Sequence, residues 1–507
     1  MNAPLRRAPV TLRAAVWRSV VFVHRWLGVA GCLLFLVWFV SGIAMIYVRM
    51  PVLTVEETLA QAAAIDATAI QVAPAAAAVV AGADAETPIE MRMLGSRPVY
   101  RFGRDGLAGV VFADTGERLT AVTAGDAEAA ARQFVKGKAA ATVAALTAAD
   151  QWTLQLRPHF PLYRVAFDDR PGTAVYVSRR TGALVLDTTR RERFWAYVGP
   201  VAHWLYLPVL RRHGEVWTQV IVWTSAAGCL LCVSGLAAGI WRLSIRRRYT
   251  IRRQASATPY DGWLRWHHYS GLLFGLVALT WTFSGLLSMD PFPQLSSEGI
   301  TSSQRRSVAG VPPPLATITV GAVRDAVQSA RVDREAPRAL RLLAFGGRWY
   351  WRSSTTVPAS ARLLPAEAPA GRSFEAFPRA AIESAAVTAA PGGARAELTW
   401  LTAHDEYYYA RREALPLPVL RARYADADAT WAYLDPAQGT LVRVVRRPDR
   451  WNRWLYNGLH SLDPAWLRNR RPWWDVVVVL LLLGGGAGVM TSLIPAARRL
   501  GLAPRRR

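Results

Sequence analysis

The sequence predicts an α-helical membrane protein with four transmembrane helices and two exported α+β regions, built as an internal duplication with pseudo-two-fold symmetry. Three observations predict this fold class: four long apolar segments, arginines grouped beside them, and residues that recur at a fixed offset. The chain has 507 residues, 52% of them hydrophobic. It is therefore too long for one domain and too apolar for an ordinary soluble enzyme.

The apolar segments cover residues 20–48, 216–241, 263–288 and 473–494. Each has roughly 20 to 30 residues, enough for a helix to cross the hydrocarbon core of a bilayer. The first segment is followed by Arg49, Met50 and Pro51 rather than by a small-residue cleavage site. Its length and this flank predict a spanning helix and not a cleaved signal peptide.

The first and third apolar segments open with the same pattern, a histidine followed by a glycine four residues later. Five residues recur at an offset of 243: His24, Gly28, Trp38, Ser41 and Gly42 match His267, Gly271, Trp281, Ser284 and Gly285. Others recur at an offset of 257, including His203 with His460, Trp217 with Trp474 and Gly228 with Gly485. Fixed offsets predict an internal duplication, whose second exported region is longer by 257 − 243 = 14 residues.

The two exported regions are predicted to contain helices packed on antiparallel sheets, with at least one such module in each region. In the first region, alanine-rich stretches at 56–64 and 126–134 favour helices. Runs at 98–102, 152–156, 162–167 and 174–177 favour strands, and residues 357–378 of the second region are predicted to form a surface loop.

The predicted organisation divides the chain into seven parts. These are the N-terminus with the first helix (1–50), the first exported region (51–200), a histidine segment with the second helix (201–242), a basic loop (243–262), the third helix (263–288), the second exported region (289–455), and a histidine segment with the fourth helix and a basic tail (456–507).

The net charge of +25 would suit a nucleic-acid partner, but the placement of the arginines favours a membrane. They group as Arg6, Arg7, Arg13 and Arg18; Arg242, Arg246, Arg247, Arg248, Arg252 and Arg253; and Arg498, Arg499, Arg505, Arg506 and Arg507. All three groups flank one side of the apolar segments, which the positive-inside rule makes cytoplasmic. Both termini are then cytoplasmic, and residues 51–200 and 289–455 lie beyond the bacterial inner membrane, in the periplasm.

The duplicated histidines are the candidate functional residues. His24 and His267 lie near the cytoplasmic ends of their helices, and His203 and His460 lie near the outer face. A pseudo-two-fold axis would pair His24 with His267 and His203 with His460. Each pair has the axial nitrogens that a haem needs, and Gly28 and Gly271 lie on the same helical face as the first pair, leaving room for a flat group. We therefore predict two haem sites, and no zinc site, because no carboxylate or thiolate repeats beside the histidines.

The sequence gives less evidence of a function for the remaining histidines and the cysteines. His268 follows His267 but points about 100° away on a helix, so it is either a neighbour of the haem propionates or a substitute ligand. His213 is predicted at the membrane interface, and His159 and His404 on the surface. Cys32, Cys229 and Cys232 all lie in apolar segments, where the C-x-x-C pair is best explained as packing.

The chain resembles the PepSY-associated transmembrane family of iron-regulated inner-membrane proteins, which includes haem-containing siderophore-iron reductases. The resemblance rests on the His24–Gly28 and His267–Gly271 openings, on His460 before the fourth helix, and on the Gly-x-Leu-Val strand ends at Gly182 and Gly439. It implies a haem-dependent ferric-siderophore reductase that takes electrons from a cytoplasmic donor or the quinone pool and passes them to a periplasmic acceptor. The haems would be b-type, because no C-x-x-C-H motif is present.

Two features of this reading have alternatives. A set of aromatic residues near the outer histidines either shields a haem edge or forms an interfacial aromatic belt. The set is Trp195, Tyr197, Trp204, Tyr206, Trp451, Trp454 and Tyr456. The whole protein could also be a non-enzymatic sensor or protease regulator that binds through its PepSY-like modules, which predicts no haem. A transporter is disfavoured because charged residues are nearly absent from the middles of the four segments.

Overall fold

A computed structural model describes residues 12–84, 86–296, 298–332, 335–356, 360–410 and 415–504. Arg6, Arg7 and Arg505 to Arg507 of the basic groups, and residues 357–359 of the predicted loop, lie outside the described residues. The chain forms two compact units. The helical unit comprises Met1–Met50, Phe194–Ser296 and Trp451–Arg507, and the inserted unit comprises Pro51–Arg193 and Ser297–Arg450.

The α-helices alternate between the two units along the chain. In order they are α1 (Leu12–Tyr47), α2 (Val55–Gln61), α3 (Pro74–Ala81), α4 (Ala124–Val135), α5 (Arg190–Ala196), α6 (Pro208–Arg211), α7 (Gly214–Arg242), α8 (Trp263–Leu287), α9 (Ser302–Ala309), α10 (Val320–Ser329), α11 (Arg379–Thr388), α12 (Arg447–Asn452), α13 (Leu459–Ser461), α14 (Ala465–Arg468) and α15 (Trp473–Arg499).

The strands belong to the inserted unit except for one short hairpin between α7 and α8. In order they are β1 (Ile89–Leu94), β2 (Arg97–Phe102), β3 (Gly109–Phe112), β4 (Ala141–Leu146), β5 (Leu162–Phe167), β6 (Ala174–Ser178), β7 (Leu184–Thr188), β8 (Tyr249–Ile251), β9 (Gln254–Ser256), β10 (Ala339–Phe345), β11 (Arg348–Ser354), β12 (Leu363–Pro365), β13 (Ala396–Leu401), β14 (Val419–Tyr424), β15 (Trp431–Asp435) and β16 (Thr440–Val445).

Four helices are long and apolar enough to cross a membrane, which confirms the four predicted spans. They are α1, α7, α8 and α15, with 36, 29, 25 and 27 residues. At about 1.5 Å per residue, even α8 exceeds the roughly 30 Å of a bilayer core. The first helix already includes residues 12–19, which precede the predicted start of the span at Val20.

The four long helices pack in a ring in which α1 and α8 each contact both α7 and α15. Phe35, Phe39, Val478 and Leu482 form the buried centre of this unit. Glycines bring the helices close together at equivalent places. A Cβ at Gly228 would lie 2.6 Å from Cγ2 of Thr282, and one at Gly485 would lie 2.3 Å from Cε1 of Phe39, so neither position has room for a larger residue.

The inserted unit contains one four-stranded antiparallel sheet from each region of the sequence. Their strand orders are β4-β5-β6-β7 and β13-β14-β15-β16. Helix α4 packs on the first sheet through Ala127 and Ala131, and α11 packs on the second through Ile382 and Ala386. The predicted module of a helix on an antiparallel sheet is therefore present in both regions.

A third sheet joins the two regions, which the sequence did not indicate. Its strand order is β12-β11-β10-β1-β2-β3, and β1 pairs with β10 through Glu90 opposite Arg341 and Met91 opposite Leu340. Tyr100 and Trp351 are fully buried in its core. The two regions are consequently halves of one compact unit rather than separate domains.

Two predictions of secondary structure in the inserted unit were wrong. Residues 152–156 form turns instead of a strand, because the Asp150 carboxylate accepts hydrogen bonds from the backbone nitrogens of Trp152 and Thr153 and so bends the chain. The apolar side chains of Trp152 and Leu156 still pack inward. The predicted loop at 357–378 contains strand β12, which pairs with β11 through Trp351 opposite Leu364.

Candidate functional site

The four duplicated histidines form two pairs inside the helical unit. His24 on α1 and His267 on α8 lie toward the end of the unit that carries Arg18 and Arg242, and we call them the arginine-end pair. His203 and His460 lie toward the other end of the helical unit, where α1 and α8 end and the chain continues into the inserted unit. We call them the insertion-end pair. Each of these two histidines follows a π-helical turn, at Tyr197–Val201 and Arg453–Gly458.

In the arginine-end pair, the imidazole rings have centroids 6.1 Å apart and planes inclined by 26°. Nδ1 of His24 lies 3.1 Å from the Leu231 carbonyl oxygen, and Nδ1 of His267 lies 3.5 Å from that of Gly488. A carbonyl only accepts, so these contacts assign the proton to Nδ1 of each ring. Nε2 then keeps its lone pair, which is the form in which imidazole binds a metal.

A cavity of about 460 Å³ surrounds the arginine-end pair and is lined by all four long helices. Both predicted glycines, Gly28 and Gly271, line it. Among the described residues and apart from the adjoining backbone of the same helix, no heavy atom lies within 4 Å of a Cβ built at Gly271. The nearest such atom to a Cβ at Gly28 is 3.7 Å away. The cavity walls are mostly apolar, so the space beside the two imidazoles suits a flat, largely apolar ligand.

Gly235 on α7 is a site residue that the sequence did not reveal. A Cβ at this position would lie 2.5 Å from Cε1 and 2.7 Å from Nδ1 of His24, so only glycine lets the imidazole occupy its place. Its counterpart at an offset of 257 is Ser492, which also lines the cavity. Because the two residues differ, a comparison of the two halves could not have identified Gly235.

In the insertion-end pair, the ring centroids are also 6.1 Å apart, but the planes are inclined by 77°. Ser41 and Ser284 place their hydroxyls 3.0 Å from Nδ1 of His203 and His460, respectively. The Ser41 hydroxyl donates to the Val37 carbonyl and that of Ser284 to the Trp281 carbonyl, so each accepts from Nδ1. The sequence identified both serines only as residues of the repeat, whereas the structure shows a direct hydrogen bond from each histidine to its serine.

The insertion end also contains a buried ion pair that has no counterpart in the first half of the chain. Nη1 of Arg453 lies 2.9 Å from Oδ1 of Asp463, and their side chains are only 7% and 1% exposed. The matching positions in the first half are Ala196 and Tyr206. The two halves of the helical unit therefore differ in the residues packed close to their insertion-end histidines.

His268 is fully engaged in other contacts. Its Nε2 lies 2.8 Å from the Gly239 carbonyl and its Nδ1 lies 2.7 Å from the Thr258 hydroxyl. The carbonyl accepts from Nε2–H, and the hydroxyl donates to Nδ1. Neither nitrogen is left for a metal, so the structure favours His267 over His268 as the ligand, although His268 does line the cavity.

The other histidines belong to neither pair. His159 is buried in the inserted unit, 3.8 Å from Oδ2 of Asp105, so its predicted surface position was wrong; burial lowers its pKa. His404 is half-buried and its Nε2 lies 3.2 Å from the Leu415 carbonyl. His213 is exposed at the start of α7, and Cys32 and Cys232 line the cavity as free thiols.

The donor set of the two pairs fits haem. Two imidazoles that share one metal through bonds of about 2 Å have ring centres about 6 Å apart, close to the spacing of both pairs. Within the described residues, no group of three or more His, Cys, Asp or Glu side chains could hold a metal ion. A metal at either pair would need its other ligands from a bound group, which is what a porphyrin provides.

Comparison with known protein families gave a match. The family model described as the PepSY-associated TM region matches residues 21–351, which is about two thirds of the chain. The match includes His24, His203 and His267 but not His460, so the place of His460 rests on the repeat and on the structure. No curated protein matched the chain.

Proposed function

This chain belongs to the PepSY-associated transmembrane family, and from that premise we propose that it is a di-haem oxidoreductase of the bacterial inner membrane that reduces a ferric siderophore in the periplasm. The proposal depends mainly on the geometry of the two histidine pairs. Both have a centroid spacing of 6.1 Å, and three of the four rings have a clearly assigned Nδ1 contact within 3.1 Å.

His24 with His267, and His203 with His460, would each hold one haem b. The two haems would supply reversible one-electron chemistry at two levels of the membrane. The Leu231 carbonyl orients His24, and the hydroxyls of Ser41 and Ser284 orient the insertion-end histidines. Hydrogen bonds of this kind to the second ring nitrogen fix the orientation of a ligand and raise its basicity.

The residues between the two pairs are aromatic and tightly packed. Phe35 lies 5.5 Å from Trp38, and Phe39 lies 6.0 Å from Trp281, measured between ring centroids. The Trp38 indole also donates to the His203 carbonyl at 3.0 Å. The hydrogen bond from Trp38 fixes the backbone of His203 against α1.

The family resemblance suggests a ferric siderophore as the acceptor. One electron converts Fe(III) to Fe(II), which binds hard oxygen ligands more weakly, so reduction releases the iron for import. The arginine groups indicate that the arginine end faces the cytoplasm. The donor, a cytoplasmic carrier or a membrane quinone, would then act at that end, and the siderophore would be reduced at the insertion end.

The first test is the haem content of the purified chain. A pyridine haemochrome assay should give two b-type haems per chain, and the visible spectrum should be that of six-coordinate, low-spin haem. Haem close to zero would overturn the reductase proposal and favour the non-enzymatic sensor or regulator, which needs none.

The second test is the direction of reduction. A membrane-impermeant ferric siderophore is added to right-side-out and inverted vesicles whose haem has been reduced beforehand, and reoxidation is followed by absorbance. Reoxidation should be rapid in right-side-out vesicles and slow in inverted ones. Equal rates, or reoxidation in inverted vesicles alone, would contradict the proposed outward path.

A further inference from the structure

The loop between α7 and α8 forms an ordered β-hairpin at the arginine end of the helical unit. Strands β8 and β9 pair from Tyr249 opposite Ser256 to Ile251 opposite Gln254. The two residues of the turn are Arg252 and Arg253, with φ of 48° and 64°. Both lie in the left-handed region, as a type I′ hairpin turn requires.

Arginine is an unfavourable residue for this turn. Type I′ turns strongly prefer Asn-Gly because a Cβ crowds the backbone at positive φ. Residues held in such conformations concentrate at functional sites. Two arginines occupy this turn although its backbone conformation disfavours them. We therefore expect the function of the turn to depend on their side chains.

The hairpin and its flanks carry a large excess of positive charge. Residues 242–262 contain six arginines and one aspartate, a net charge of 6 − 1 = +5. Arg252 forms an ion pair with Asp261 at 2.7 Å but remains 72% exposed, and Arg253 is exposed as well. The tip is therefore a solvent-facing cationic surface.

The hairpin is fixed to the wall of the cavity around the arginine-end pair. Thr258, fully buried, donates to Nδ1 of His268, whose Nε2 donates to the Gly239 carbonyl on α7. The Ser256 hydroxyl donates to the Thr258 carbonyl at 2.8 Å. Tyr260 packs edge-on against His268, with ring centroids 5.5 Å apart, and itself lines the cavity.

We propose that this hairpin is the docking surface for an acidic electron-carrier protein that supplies the arginine-end site. The partner class is a small one-electron carrier with carboxylates around its exposed redox centre. On docking, the carrier is oxidised by one electron and the chain is reduced by one, with no bond or proton exchanged. This inference rests on the proposed function and identifies its donor.

A protein partner explains the hairpin better than anionic lipid does. Lipid headgroups are mobile and attract any arginine close to the membrane surface, so they require neither a rigid turn nor a buried anchor. Complementary charges between proteins, by contrast, fix the orientation of docking. The strained tip and the contact of Thr258 with His268 give such a fixed geometry next to the cavity.

The test uses the full chain in nanodiscs of phosphatidylcholine and a plant-type [2Fe–2S] ferredoxin as the acidic probe. One variant combines Arg252→Asn with Arg253→Gly, which removes two charges and gives the turn its preferred residues. The control combines Arg252→Lys with Arg253→Lys. The Asn-Gly variant should raise the Kd for ferredoxin by about tenfold and weaken its salt dependence, whereas the lysine control should stay within about threefold.

Stability separates docking from folding. The Asn-Gly variant should unfold at the same temperature as the parent or higher, because Asn and Gly adopt positive φ easily. Unchanged ferredoxin binding by this variant would overturn the proposal. If ferredoxin binding is unchanged but binding to phosphatidylglycerol vesicles is weaker, the hairpin binds lipid and the proposal is overturned.

The readout distinguishes this inference from the proposed function. Ferredoxin binding is measured without electron transfer, so it does not depend on haem. Charge-dependent binding by a chain that holds no haem would support the docking surface while contradicting the reductase. Two haems per chain without charge-dependent binding would contradict the docking surface alone.

Discussion

The arginine-end and insertion-end pairs have the same centroid spacing of 6.1 Å but different supports. His24 and His267 are oriented by backbone carbonyls of α7 and α15, and their planes are nearly parallel, at 26°. His203 and His460 are oriented by the hydroxyls of Ser41 and Ser284, and their planes are inclined by 77°.

This difference determines which contacts of each histidine pair can be removed by mutating a side chain. A backbone carbonyl is independent of side-chain identity, so the arginine-end pair depends on helix spacing and above all on Gly235. The insertion-end pair depends on two hydroxyls and lies near a buried ion pair, all of which are side chains. Each pair can therefore be perturbed separately, and the other serves as the internal control.

Loss of a ligand has the largest expected effect. His24→Ala or His267→Ala should each reduce the haem content from two to one per chain, and the same haem should be lost in both. His203→Ala or His460→Ala should remove the other haem. Haemochrome analysis with a redox titration of each variant measures this.

The matched control for these variants is His268→Ala, which should retain both haems because neither nitrogen of His268 is available. If His268→Ala abolished the arginine-end haem and His267→Ala did not, the assignment of the ligand would be wrong by one residue.

Breaking the buried ion pair should have the next largest effect. Arg453→Ala leaves the Asp463 carboxylate without its buried cation, which typically costs about 3–5 kcal/mol of unfolding free energy. Urea titration of the detergent-solubilised chain measures this change, and the insertion-end haem should be lost first. Full stability in the single variant would contradict the structural role of the pair.

A double variant sharpens this comparison. Arg453→Ala with Asp463→Tyr copies Ala196 and Tyr206, the matching residues of the first half. It should recover much of the stability, because no unpaired charge remains buried.

Gly235→Ala should weaken the arginine-end site alone. The added Cβ would lie 2.5 Å from the His24 ring, and overpacking of this kind costs about 1–3 kcal/mol, or up to about a hundredfold in haem affinity. Haemin titration of the haem-free chain measures it. The control is Gly31→Ala, where the nearest atom is 3.9 Å away; equal losses in both variants would show a general effect on α1 and α7 packing.

Removal of the serine hydroxyls should have the smallest effect, confined to the insertion-end site. Ser41→Ala or Ser284→Ala removes the acceptor for one histidine Nδ1, and loss of such a partner typically lowers metal-site affinity about tenfold or somewhat more. Thr280→Val is the matched control, since the Thr280 hydroxyl donates to the Val277 carbonyl of its own helix, α8. A loss at the arginine-end site instead would contradict the separation of the two pairs.

The sequence by itself determined the features that depend on local composition and on the repeat. Span length and apolar content are properties of one contiguous segment, so the four long helices followed directly from it. Strands β5 and β6 and helix α4 were also found, because their periodicity is local. The matched offsets singled out the four histidines before any contact was known.

Only the tertiary structure decided how those histidines are held. Ser41 and His203 are 162 positions apart, and Leu231 and His24 are 207 apart, so no local pattern connects them. The same holds for Gly235, for the engagement of His268 by Thr258 and Gly239, and for the sheet shared by the two inserted regions. A hydrogen bond or a close approach depends on which distant segments meet, and the packing of the whole chain fixes that.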